Sequence, residues 1–220
     1  MISRRERSKL DKSTRIYAAA RELFYTKGFD AVTTREIAEL ADVGLGTLSL
    51  RVGDKGALLV AIVNADLAAI SDAAIRDTGS DMDIVERAIA FLRGRYEYWA
   101  RNPSLARSAL REMSARDDRS DAPGNQRRTQ LSGRIVAMFR ARNATLPAHE
   151  RDDPEAFAAL FTAIYLGAIR LWLHDEVLDA DQGVAHLRSL LTLAARGLAR
   201  PPAPRAPVTR PKRNGRKHAG

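Results

Sequence analysis

The stretch TTREIAELADVGLGTLSLRVGDKGALL, residues 33–59, decides the fold. Thr33 and Glu36 stand at capping-box spacing, where a hydroxyl caps first-turn N–H groups and a carboxylate reaches back. Ile37, Ala38 and Ala41 give the helix that follows one small apolar face. Asp42-Val43-Gly44 then interrupts it, with a residue that tolerates left-handed backbone and a glycine that adopts it freely. Leu45 to Arg51 makes a second short helix, with Leu48 inward and Thr47, Ser49 and Arg51 outward. Two short helices around a tight turn are the arrangement that places its second helix in a DNA major groove.

The same residues resemble the helix-turn-helix of the tetracycline-repressor (TetR) family. Thr33, Arg35, Ile37, Ala38, Ala41, Val43, Gly46, Thr47, Leu48, Lys55, Ala57 and Leu58 match the family pattern. Upstream, Arg15-Ile16, Ala19-Ala20, Leu23-Phe24 and Gly28-Phe29 match its first helix, so the motif covers residues 14–60. The resemblance implies an all-α chain: a three-helix DNA-binding head joined to a helical bundle that binds a ligand and dimerises. It also implies a transcriptional regulator, expected to be a ligand-released repressor. Some positions depart from the pattern. Ser49 replaces the usual tyrosine of the recognition helix, and Arg51 and Val52 replace two further aromatics. Asp42 replaces the turn glycine, and Gly44 the capping serine, a change that costs only about a few tenths of a kcal/mol.

Charge is unevenly placed. The chain carries +9, of which residues 1–15 hold six Lys/Arg against two acids and residues 200–220 hold seven Lys/Arg and no acid. Two basic arms on a near-neutral body suggest a polyanion partner, most often nucleic acid, or tails that only solubilise; with the helix-turn-helix, the expected partner is double-stranded DNA. With no cysteine in the 220 residues, disulfides and thiolate chemistry are excluded. No apolar run reads as long enough for a membrane span, and the N-terminus MISRRERSKL has no signal-peptide core, so a cytoplasmic protein without a membrane partner is expected.

In chain order, residues 1–13 read as a flexible basic arm and 14–60 as the DNA-binding head. A linking helix opens at Asp54 and continues to residue 76. Residues 77–199 read as five more helices, with a loop over 117–124, and 200–220 as a disordered, proline-rich basic tail.

Base reading is expected from the second short helix, where Thr47, Ser49 and Arg51 can hydrogen-bond, Leu45 and Leu50 can meet thymine methyls, and Gly46 permits close approach. Arg35 matches a family position that can reach guanine. Thr33, Thr34 and Lys55 suit phosphates. For a small apolar effector, Phe91, Tyr98, Met113, Met138 and Phe139 are the candidate walls, although helical stripes of such residues are as readily core. Ala159, Ala163 and Gly167 form a small-residue line which, with Leu187 and Leu191, is the expected homodimer surface. The four histidines show no metal spacing, and no catalytic residue, cofactor or metal is expected. An architectural DNA-binding protein relying on its basic arms is the main alternative, and a helical-bundle enzyme the remote one.

Overall fold

Among the described residues (4–77, 82–117, 122–148, 151 and 153–198), the computed structural model holds nine helices and no strand. The head is α1 (Arg4–Lys27), α2 (Thr34–Leu40) and α3 (Leu45–Val52), and α4 (Lys55–Asp77) links it to the body. The body is α5 (Ile84–Arg101), α6 (Pro103–Asp117), α7 (Ala122–Ala144), α8 (Pro154–Trp172) and α9 (Ala180–Leu198). The all-α reading, with a three-helix head on a bundle of five, is the architecture seen.

Two boundaries differ from expectation. Helix α1 starts at Arg4, so nearly all of the expected flexible arm over 1–13 is helix. Its lysines and arginines are straight-chain residues that lose little freedom in a helix, and Arg15 pairs with Asp11 one turn back at 3.6 Å. Of the expected loop over 117–124, residue 117 ends α6 and 122–124 open α7, where proline's missing N–H is no loss, while 118–121 lie outside the described residues. The basic tail, 200–220, lies outside the described residues.

Buried Ile16, Ala20, Phe24, Ile37, Leu48 and Leu59 make the core of the head, and Phe24 and Phe29 pack with ring centroids 5.4 Å apart. In the body α5 lies between α4 and α9, and α8 packs on α7 and α9. A glycine permits one of these approaches: a Cβ on Gly183 of α9 would stand 2.6 Å from the Tyr96 ring of α5. Asp54, Asn102 and Asp153 cap α4, α6 and α8, each accepting from a first-turn N–H.

One compositional expectation is corrected. By length and hydropathy alone, residues 55–74 of α4 and 154–172 of α8 could each cross a membrane. Both helices bury apolar faces against several neighbours, which is why their sequences carry so few charges.

Candidate nucleic-acid interface and the cavity behind it

The capping box is complete. Thr33 Oγ1 accepts from the Glu36 N–H at 3.2 Å, while Glu36 Oε2 accepts from the Thr33 N–H at 2.8 Å. Lys27 donates to the other carboxylate oxygen at 2.8 Å. The Lys27 hydrogen bond foremost, then those from Thr33, hold the Glu36 carboxyl down at about 2. This fixes the start of α2 against the end of α1.

Asp42 carries the turn at φ 50°, the left-handed conformation its short polar side chain tolerates, and its carboxylate accepts from Arg15 at 3.0 Å. Gly44 then caps α3 without a side-chain hydrogen bond. Leu48, 1% exposed, pins α3 to the head, and on the opposite face Leu50 is 90% exposed. Leu45, Gly46 and Ser49 are exposed beside it, and Thr47 is half-buried. Such a surface, small and polar apart from two leucines, is shaped to enter a groove.

Three of the expected DNA-contacting residues have work inside the head. Thr33 is the cap just described. Arg51 donates from Nη1 to Ser13 of α1 at 3.3 Å. Lys55 departs furthest from expectation: its ammonium donates to the carbonyls of Phe29 and Val32, both at 2.8 Å, and lies 4.4 Å from the Phe29 ring centroid. It clamps the α1–α2 connection to the start of α4. Thr34 is half-buried and Arg35 exposed at the start of α2.

Residues 16–62 match the profile of bacterial regulatory proteins, tetR family. The head is that of a TetR-family transcriptional regulator. Among curated proteins none matches the sequence. Solved structures share the fold of most of the chain, head and body alike. A TetR transcriptional regulator from Rhodococcus sp. RHA1 is 19% identical, with a TM-score of 0.65 over 86% of this chain and 97% of that one. The TetR-family repressor FadR of Thermus thermophilus, in complex with lauroyl-CoA, is 23% identical, with a TM-score of 0.64 over 87% and 98%. A TetR-family regulator from Pectobacterium atrosepticum is 24% identical, with a TM-score of 0.64 over 89% and 97%.

The TetR-type head is tied to the body at one polar joint and along one helix. At the joint, Asp66 of α4 accepts from Arg21 of α1 and from the Tyr98 hydroxyl of α5 at 3.0 Å, and Tyr25 of α1 donates to Tyr98 at 2.9 Å. Along α6, Arg111 pairs with Asp30 at 3.1 Å, and Arg116 pairs with Asp54 at the start of α4.

Between α4, α5, α6 and α8 lies a cavity of about 400 Å³, within the range of small-molecule sites. Leu67, Trp99, Leu110, Met113, Ile169 and Leu173 supply apolar wall, and Arg95, Tyr165, Ser114 and Arg170 polar groups. Of the five expected wall residues only Met113 is there. Phe91 and Phe139 are 1% exposed within the core, where Phe139 packs on Phe157 and Phe161, and Met138 is buried. Tyr98 belongs to the joint, because its hydroxyl needs a partner when buried and finds Asp66 there.

The expected dimer surface divides in two. Ala159, Ala163 and Gly167 form an exposed line on α8, continued by Leu171, 68% exposed. Leu187 and Leu191 are fully buried within the chain and cannot reach a second copy. Among the described residues, the exposed large apolar side chain of α9 is instead Leu193 at 65%.

Proposed function

We propose that this chain is a homodimeric repressor that binds a two-fold symmetric DNA operator and is released from it by a small molecule in the cavity. Helix α4 carries this reading. Leu67 lines the cavity, its neighbour Asp66 holds Arg21 and Tyr98, and Lys55 at the start of the same helix clamps the head. A ligand that favours one position of α4 therefore favours one position of the head, which is all that coupling between two sites requires. FadR of Thermus thermophilus, of the same fold, holds a small molecule, which supports the assignment.

Helix α3 enters the major groove, presenting Leu45, Gly46, Thr47, Ser49 and Leu50 to base edges with Arg51 at its end. Arg35 reaches from the start of α2, and Thr34 faces phosphates, with Thr33 holding the helix start that presents both residues. The line through Ala159, Ala163, Gly167 and Leu171, with Leu193, is covered by a second copy, so that two heads meet half-sites about 34 Å apart. As a DNA-binding regulator the protein works in the cytoplasm.

The test is repeated selection of bound duplexes from a random pool with the full-length protein. A two-fold symmetric motif is expected. Recovery of sequences no different from the starting pool would favour the architectural reading.

A further inference from the structure

The cavity holds a cation without an anion. Arg95 is 6% exposed, and its guanidinium meets only neutral groups among the described residues, lying 5.4 Å from the Tyr165 ring centroid. Nε donates to the Tyr165 hydroxyl at 2.9 Å, and Nη1 to Ser71 Oγ at 3.0 Å and the Leu67 carbonyl at 3.4 Å. Among the described residues Nη2 has no protein partner, and no aspartate or glutamate lines the cavity. Arginine cannot shed its proton to escape this cost, and a buried charge is stabilised chiefly by a paired opposite charge. Tying α4 to α8 through three neutral acceptors would not by itself need a charged group.

The neighbouring groups lean the same way. Trp99, one turn on from Arg95 along α5, has a buried indole N–H with no acceptor. The Tyr165 hydroxyl accepts from Arg95, which leaves its own proton to donate. Arg170, exposed on α8, adds a second guanidinium and donates to Ser114 at 2.8 Å. The cavity is rich in donors, poor in acceptors, positive, and apolar over the rest of its wall.

We propose that the effector is an amphiphilic carboxylate, its apolar body filling the cavity and its acid group held by Arg95 Nη2 and the Tyr165 hydroxyl. This rests on the cavity being the effector site. Carboxylate matches the site better than a neutral polar head, because only an anion both accepts from these donors and compensates the buried guanidinium.

Calorimetry on the full-length protein with matched pairs tests this: decanoate against 1-decanol, and 4-phenylbutyrate against 4-phenyl-1-butanol, near neutral pH. At least one acid should bind about tenfold or more tighter than its alcohol, the scale of a charge-assisted hydrogen bond. Arg95→Met should abolish that preference. Should it fail to fold, Tyr165→Phe carries the test, with the preference falling by about threefold or more on loss of one hydrogen bond.

Alcohols binding as well as acids, or an acid preference unchanged by both substitutions, overturns the proposal and leaves the cavity as a neutral site. Binding of neither member of either pair up to about 1 mM, weaker than about −4 kcal/mol, overturns both the proposal and the cavity as effector site. An Arg95-dependent acid preference that leaves the operator complex intact supports the carboxylate site and removes the repressor-release reading alone.

Discussion

Arg21 of α1 and Asp66 of α4 face each other through two parallel hydrogen bonds, Nη1 to Oδ2 and Nη2 to Oδ1, each 2.7 Å long. This fork-to-fork geometry fixes orientation as well as distance. The Asp66 side chain is 16% exposed against 46% for Arg21, so the pair is anchored on the α4 side. Donating to the Asp66 carboxylate raises the Arg21 guanidinium above its ordinary value. Burial first, then the hydrogen bond with Tyr25, pushes the Tyr98 hydroxyl far above the usual phenol range, so it remains a donor to Asp66.

Asp66→Asn keeps the shape of this joint and removes its charge. We expect a loss of about 1.5–3 kcal/mol in urea unfolding, as for a hydrogen bond to a charged group. Amide exchange in the middle of α1 should quicken while α7 is unaffected. An unchanged unfolding midpoint with unchanged exchange would show that the joint does not hold the head.

Lys55 separates two roles that look alike in sequence. As a clamp, its replacement in Lys55→Met leaves two carbonyls without their donor and should destabilise the head by about 1–3 kcal/mol. DNA affinity should fall, yet the slope of log affinity against log salt should hold. A phosphate contact would instead lower that slope by about 0.9 with little loss of stability.

Acid should loosen the start of α2. The Glu36 carboxyl lies at about 2 in the fold against the ordinary 4.5, so its contribution is full above pH 4.5 and is lost as pH falls toward 2. The side chain is 33% exposed, within reach of solvent screening, so the direction rather than the size is the prediction. Glu36→Gln should flatten the stability profile across that window. Profiles of equal steepness there would contradict the assignment.

The dimer line is tested by Gly167→Leu. Nothing lies within 4 Å of a Cβ at this position, so the single chain has room for the side chain, although it would also stand at the cavity. Sedimentation should show a helical monomer that has lost operator affinity. An unaltered dimer would place the interface elsewhere.

The helix-turn-helix was legible because its signals are local: a cap and its carboxylate three residues apart, one inward leucine, and a turn of tolerant residues. Direction of side chains was not. A lysine reads the same whether its ammonium meets a phosphate or two carbonyls, and Leu187 and Leu191 read the same whether a chain's own core or a second copy covers them. The cavity had a legible signal that aromatic stripes concealed. Ile84, Ala88, Phe91, Arg95 and Tyr98 run at 4-3-4-3 spacing, and Arg95 is the one charge in that row. Asp66 likewise is the only acid between Lys55 and Ser71. Charges set into apolar stripes marked the cavity and the joint better than the apolar residues did.

The account stands most directly on whether the exposed face of α3 reads sequence. The measurement is the affinity of the wild-type protein and of the Thr47→Ala/Leu50→Ala double variant for one selected operator and one random duplex, at one salt concentration. The wild type should prefer the operator by about 10³-fold or more. The variant should lose much of that preference, at about 1–3 kcal/mol per base contact removed, while its random-duplex affinity and stability hold. Equal affinity of the wild type for both duplexes, or a double variant that keeps the full preference, would contradict it.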